Sequence, residues 1–468
     1  MRLIDPSEWN PEGRVTVWDP TREMLDTLRA KEPVEQPLSF LQADHVRAVL
    51  ANRAAGVKHQ AYTAAAIRLP YPVDIDRLTQ SLNEYLGAHQ GLRCSIEAGE
   101  VGENGAPTIV RRLLSAEEVS LEPRSVDDAD ISGNAAEWMR NFFSATAVSD
   151  HFPALAAGLI QDPEHQTADF VLALDHAVAD GLSQAIAVLE IASRYLGQQS
   201  PLTQPEQPSF LDYVNREYQV AAQVPADSAG TKLWQECIEF AGGVPRLGFP
   251  IGVENNEPQE VAVVPNEGPI ADAEQLQALR ALAKSRGYSF STVMYAILAL
   301  AHKRMSGSDK YATVTVSSTR GKEFALSQGW FCNFNPLFFT VEKDSVEELL
   351  DTVAEAQQRM KNTLAEPVHA SLNNLITQGV VGPEVFQSPQ MVTYMDLSWF
   401  SEPEGADLRV FGGVGKTKNA NFWVARNPEG LVIGSQSPNN DTARNNVAQY
   451  FAEAHKIVQE TVHARTNR

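Results

Sequence analysis

In the stretch "FVLALDHAVADGLSQ" (170–184), His176 ends an apolar run and Asp180–Gly181 opens a segment with helical character. Imidazole is the side chain whose ordinary pKa lets it take up and return a proton near neutrality. At the end of a strand it would be presented rigidly at the mouth of a cleft, as a general base should be. Asp180 has two uses at this spacing: it can cap the following helix, and it can fold back onto its own loop and so fix the ring. The plain alternative is a core histidine followed by a helix-capping aspartate. His-x-x-x-Asp-Gly arises by chance in roughly one chain in thirty of this length, so the hexapeptide alone does not decide.

The elements around it can be read from periodicity. Residues 152–160 and 168–176 form a strand pair around the polar turn "QDPEHQTA", and Leu182, Ala185, Ile186, Leu189, Tyr195 and Leu196 line one face of a helix from Gly181. Upstream, 61–69 reads as a strand. Asp74 caps a helix carrying Leu78, Leu82, Tyr85 and Leu86, and "LRCSIEAG" reads as a further strand. The segment 197–209, "GQQSPLTQPEQPS", is rich in proline and glutamine and reads as a linker. Beyond it come an amphipathic helix over 272–287, a helix apolar on all sides over 289–305, strands at 310–318 and 335–342, a serine-capped helix from 345, strands at 389–396 and 430–437, and a closing helix over 443–462. Strands and helices mix without strict alternation. The expectation is an α+β chain of two similar halves, 1–196 and 210–468, joined at 197–209.

At 468 residues the chain exceeds one compact core, at about 150 residues per domain. No apolar run approaches the ~18 residues of a membrane span, and "MRLIDPSEWN" has no signal-like apolar core, so a cytoplasmic location is expected. The net charge of −21 argues against nucleic acid and an anionic membrane surface as electrostatic partners. It does not exclude a small anion in a local basic pocket. Cys94, Cys237 and Cys332 are too far apart for a disulfide framework or a metal-ligand spacing. Neither a metal nor a cofactor is expected. "FGGVGKTKN" looks like a phosphate-binding loop, but the first glycine of that motif falls at Val410, so a glycine-rich turn is the better reading. There is no HExxH and no G-x-S-x-G.

Further stretches agree with the histidine motif in order: "PLSFLQ" (37–42), the helix ending His89-x-x-Leu92-Arg93, "SSTRGK" with Arg320, and "GWFCNFNPLFF" (329–339). Taken together they make the chain resemble the condensation-domain superfamily of acyltransferases, which share HxxxDG, along essentially its whole length. With "EWNPEG" and "VTVWDP" near the N-terminus, it looks most similar to the stand-alone actinobacterial, polyketide-associated acyltransferases that decorate trehalose glycolipids. Peptide-forming condensation domains commonly carry two adjacent histidines. Here the first is Asp175, which fits ester rather than amide formation.

The resemblance implies two chloramphenicol-acetyltransferase-like subdomains packed in a V, with a channel between them open to donor and acceptor from opposite faces. It implies that His176 is the general base and that Asp180 is structural and pairs with Arg320. Gly181 would permit close approach of loop and helix. Trp330 and Asn333 would line the channel, although for Asn333 a turn-capping role is an equal alternative. His89 is read as structural and Cys332 as packing. The implied reaction moves a fatty or polyketide acyl group from a CoA or carrier-protein thioester to a hydroxyl of a trehalose-type glycolipid precursor. Expected partners are the thioester donor and the sugar acceptor. A polyketide synthase or carrier protein, peripheral attachment to the inner membrane face, and a monomeric state belong to the same picture. An amide-forming tailoring enzyme and a catalytically idle scaffold of the same fold are the competing readings.

Overall fold

The computed structural model describes every residue except 1, 58–61, 102–106, 132, 254–256, 265–269, 387–388, 398–404, 414, 428 and 467–468. Residue 61 of the expected strand and residue 414 of the glycine-rich stretch therefore lie outside the described residues. In chain order the first elements are β1 (Arg2–Leu3), β2 (Arg14–Pro20), α1 (Arg22–Ala30), α2 (Phe40–Ala54), β3 (Tyr62–Arg68), α3 (Ile75–Ala88), β4 (Glu97–Val101), β5 (Pro107–Val110), β6 (Leu121–Ser125), α4 (Ala135–Thr146), β7 (Leu155–Asp162), β8 (Thr167–Asp175), α5 (Gly181–Tyr195), α6 (Phe210–Ala221) and α7 (Ala229–Ala241). There follow β9 (Gln259–Val264), β10 (Ala271–Asp272), α8 (Ala273–Ser285), α9 (Phe290–Ser306), β11 (Lys310–Ser318), β12 (Cys332–Thr340), α10 (Val346–Lys361), α11 (Val368–Thr377), β13 (Met391–Asp396), β14 (Arg409–Gly412), β15 (Lys416–Thr417), β16 (Asn421–Asn427), β17 (Gly430–Pro438) and α12 (Asp441–Thr466).

The chain forms two compact units of mixed α and β structure. The first comprises 1–218, 320–331 and 402–415; the second comprises 219–319, 332–401 and 416–468. The first is built on a seven-stranded sheet in the order β1-β14-β3-β8-β7-β2-β6. Every neighbour pair in it is antiparallel except β1 with β14. β8 is the central strand, and its residues from Ala168 to Asp175 are all buried. A continuous rather than alternating apolar run is what a strand covered on both faces requires. One face packs on Met139 and Phe143 of α4, through Ala64, Ala66, Val171 and Ala173. The other is covered by α5, which in turn packs on α3.

The second unit holds an eight-stranded sheet in the order β12-β11-β13-β16-β17-β9-β15, with β10 beside β17. Helix α9 is its core element: Thr292 through His302 are buried without a break, so a helix apolar on all sides is the sequence signature of full enclosure. Helices α8, α10 and α12 surround it.

The boundary differs from the sequence expectation. Segment 197–209 does not separate the units but lies inside the first. Ser200 caps a short 3-10 turn over Pro201–Thr203. The backbone around it is bonded to the unit: Gln207 N donates to Ala88 O (3.0 Å), Arg194 Nη2 to Gln204 O (2.9 Å) and Ser327 Oγ to Pro208 O (2.6 Å). Proline supplies no backbone donor, so most of these ties run through the segment's carbonyls. Two pieces of the second half, 320–331 and 402–415, also belong to the first unit, because β14 completes its sheet between β1 and β3. The expected strand over 92–99 is largely irregular: a 3-10 turn spans Gln90–Arg93 and the strand begins only at Glu97. Among the described residues, no helix is long and apolar enough to cross a membrane.

Candidate active site

His176 follows directly on β8. The turn is closed by Val178 N donating to Asp175 O (3.0 Å), and Asp175 N donates to Ala154 O (3.0 Å). The loop therefore starts from the central, buried strand of the sheet. Two side chains of α2 hold it. Ser39 caps that helix in a reciprocal box: Gln42 N donates to Ser39 Oγ (3.2 Å) and Ser39 N donates to Gln42 Oε1 (2.9 Å). The other end of the same amide, Gln42 Nε2, donates to Ala177 O (2.7 Å). "PLSFLQ" is thus both a helix start and a clamp on the histidine loop. One turn on, His45 Nε2 meets Asp175 Oδ1 at 2.8 Å, and the same oxygen accepts from Ala177 N at 2.8 Å.

His176 is partly buried as a residue, and its ring Nδ1 is buried without a hydrogen-bond partner among the described residues. The Trp330 ring lies against it, with centroids 4.2 Å apart and planes 38° apart. Desolvation pushes the imidazole pKa below its ordinary value, and His45 adds to the effect. The main chain of His176 and the carboxylates of Asp175 and Asp180 pull the other way. The ring is therefore neutral at neutral pH, the form that can accept a proton.

Asp180 caps α5: its Oδ1 accepts from Ser183 N at 2.7 Å. The same oxygen accepts from Arg320 Nη2 at 2.7 Å in a buried ion pair, and Oδ2 accepts from Phe331 N at 3.0 Å. Both terminal nitrogens of Arg320 are committed to this knot. Its Nη1 donates to Phe324 O (3.2 Å) and Ser327 O (2.6 Å), Nη2 also reaches Ser183 Oγ (2.5 Å), and the guanidinium lies 4.5 Å over the Phe331 ring. Asp180 N donates to Gly329 O (3.1 Å) and Ser183 Oγ to the same carbonyl (2.7 Å). A buried carboxylate with a guanidinium and two amide donors is held too firmly to serve as the mobile acid or base.

Gly181 does not have the role expected of it. It is exposed, and a Cβ there would meet nothing within 4 Å, because the first helical residue of α5 points away from the loop. Close approach falls to Gly329, whose φ is +158° and where a Cβ would lie 2.3 Å from the Phe210 ring.

Among the expected site residues, His176, Asp180, Arg320 and Trp330 come together in the first unit. Asn333 belongs to the second unit. There it is buried on β12, donates to Glu366 O (2.7 Å) and Leu364 O (3.4 Å), and accepts from Val368 N (2.9 Å). Its amide thus anchors the entry to α11. His89 Nε2 sits 2.8 Å from Glu190 Oε2, and Glu190 also takes Arg194 Nη2 at 2.7 Å, a buried tie between α3 and α5. Arg93 Nη1 bonds Leu114 O. All three cysteines are free; burial pushes the Cys94 thiol up and Cys237 to about 12, so neither is a ready nucleophile. Among the described residues, no group of three or more His, Cys, Asp or Glu side chains could hold a metal ion. His45 was not legible as a site residue from its own surroundings. The signal that finds it is the Ser39–Gln42 capping box, which sets a helix start and puts position 45 on the same face as Gln42, one turn on.

Known proteins resemble this chain in sequence and fold. Acyltransferase PapA3 of Mycobacterium tuberculosis is 21% identical, over 97% of this chain and 95% of its own length. Trehalose-2-sulfate acyltransferase PapA2 of Mycobacterium bovis is 22% identical, over 97% of this chain and 96% of its own. A solved structure of PapA2 acyl transferase shares the fold with a TM-score of 0.87 at 20% identity, covering 99% of this chain and 100% of that one. The condensation domain of the Monacolin K polyketide synthase MokA gives 0.66 at 16% identity, with 92% and 99% covered. A family model for the condensation domain matches residues 35–378, which takes in the Gln42 clamp, the His176 loop and the Arg320–Phe331 segment. The chain belongs to the condensation-domain family.

Proposed function

We propose that the protein is an O-acyltransferase that moves a fatty or polyketide acyl group from a CoA or carrier-protein thioester to a hydroxyl of a trehalose-type acceptor, with His176 as general base. The observation that carries this is the desolvated His176 imidazole at the end of the central strand, fixed by Gln42 and Trp330. The relatives named above are acyltransferases, and two of the matched names specify sulfated trehalose as acceptor.

In the reaction, the acceptor oxygen attacks the thioester carbon as its proton passes to His176. The new C–O bond forms, the C–S bond breaks, and the thiolate leaves and recovers the proton from the imidazolium. The thioester is already activated, so neither an acyl-enzyme nor a cofactor is needed. Proton transfer by a positioned base contributes roughly 100- to 10,000-fold. Acyl thioesters are cytoplasmic metabolites, which places the reaction there. A polyketide synthase or its carrier is the natural supplier.

The test is incubation with long-chain acyl-CoA and either trehalose, trehalose 2-sulfate or a matched amine, read by mass spectrometry. Ester formation that falls at least about 100-fold in His176→Ala supports the reading. Near-normal turnover in that variant, or amide as the main product, overturns it.

A further inference from the structure

We propose that His45 is a positioning residue for acyl transfer: from α2 it sets the His176 loop through Asp175 and the His176 ring plane through Trp330. This rests on the reading of His176 as the base.

The first observation is where α2 touches the loop. Gln42 and His45 are three apart and share one face of the helix. Gln42 Nε2 holds Ala177 O and His45 Nε2 holds Asp175 Oδ1, so one rigid element grips the residues immediately before and after His176. Asp175 Oδ1 also takes Ala177 N, which ties the two grips together. The second observation concerns burial. The Asp175 side chain has no exposed surface, and a carboxylate in that position must be hydrogen-bonded; His45, 11% exposed, is among its donors. This requires the proton on Nε2 of His45. The third observation is aromatic. The Trp330 indole is flanked by both imidazoles, His176 at 4.2 Å and His45 at 5.9 Å, the latter edge-on at 88°. Moving His45 frees the ring that packs on His176. The two imidazole centroids are themselves 6.4 Å apart. Asp175, the position at which this chain departs from a paired-histidine motif, thus has a partner on helix α2.

The full chain with isotopically labelled histidine tests this. His176 ring signals are identified by their loss in His176→Ala. In His45→Ala, kcat should fall about 10- to 100-fold with KM for donor and acceptor changed less than about threefold, the pattern of a misaligned group rather than of lost binding. The His176 ring signals should shift and broaden. His45→Gln, which can still donate to Asp175, should recover most of the activity and the sharp signals. Unchanged kcat in His45→Ala, loss of kcat with unmoved His176 signals, or no recovery in His45→Gln would each overturn the proposal. Should His45→Ala fail to fold, Asp175→Ala, which removes the acceptor of His45, is read in its place by the same criteria. If the wild-type chain transfers no acyl group, the reading of function fails. The ring signals then decide the positioning alone: displaced in His45→Ala, it stands; unmoved, it falls.

Discussion

Asp180 and Arg320 can be separated by a double-mutant cycle. Both side chains are buried, at 7% and 4% exposure. Arg320→Ala strands a carboxylate, and removing one partner of a buried pair costs about 3–5 kcal/mol. Asp180→Asn keeps an oxygen to cap Ser183 N but turns its NH2 toward Phe331 N, so it loses the charge and that acceptor together and should cost about 3–5 kcal/mol. Asp180→Ala also loses the cap, adding about 1 kcal/mol beyond Asp180→Asn. Once either charge is gone the other contributes little, so the Asn/Ala double variant should fall short of the sum of its singles by about 2–3 kcal/mol. A chain of two units need not unfold in one step, so the assay should be local: hydrogen exchange of peptides across α5, read as opening free energy. Costs that add to within about 0.5 kcal/mol, or an Asp180→Asn cost below about 1 kcal/mol, would refute a coupled pair.

Burial holds the His176 pKa down, so the base stays free in mild acid. The acid limb of kcat/KM should fall below the ordinary histidine value of about 6.5, and a limb at or above it would contradict the desolvated site. His302 is buried with its pKa lowered to about 4, and its Nε2 accepts from Gly248 N at 3.0 Å. The unfolded chain takes a proton near 6.5 that the folded one refuses until about 4, so stability present above 6.5 is lost as pH falls through that window. About 3 kcal/mol of acid destabilisation by pH 4 should appear in urea titrations and be absent from His302→Gln. Gly181→Ala should leave stability within about 1 kcal/mol of wild type, since its Cβ meets nothing. Gly329→Ala should cost about 1–3 kcal/mol in melting experiments by driving a methyl into Phe210.

Local order was legible where the chain itself carries the constraint. The continuous apolar run of β8 and the all-round apolar α9 follow from enclosure, and Asp74 caps α3 through Arg77 N as its position implies. What failed was unit membership. Segment 197–209 has a linker's composition, yet its carbonyls are bonded by Arg194, Ser327 and others that periodicity does not connect to it. The pairing of Asp180 with Arg320 spans 140 positions and came into view only through resemblance, since nothing local to either residue names the other. Gly181 was misjudged for a related reason: its company in the motif suggested crowding, while the crowded glycine is 329, opposite Phe210. His45 stayed hidden because a histidine in a polar helix looks like any surface residue until the strand end beside it is placed.

The sheet of the first unit takes its second strand, β14, from residues 409–412. A ribosome that has finished residue 218 has therefore not yet supplied what the first unit needs to close. At 5–20 residues per second the wait until residue 412 is roughly 10–40 s. Through that interval β3 presents an unpaired edge, and until residue 320 is made Asp180 has no guanidinium to meet. The usual order of vectorial synthesis, in which the N-terminal body matures first, is thereby inverted. The first unit is completed by a strand made long after its own main segment, and a nascent chain cut short before β14 leaves the ribosome with an adhesive strand edge, joined by an immature histidine loop if the cut falls before residue 320.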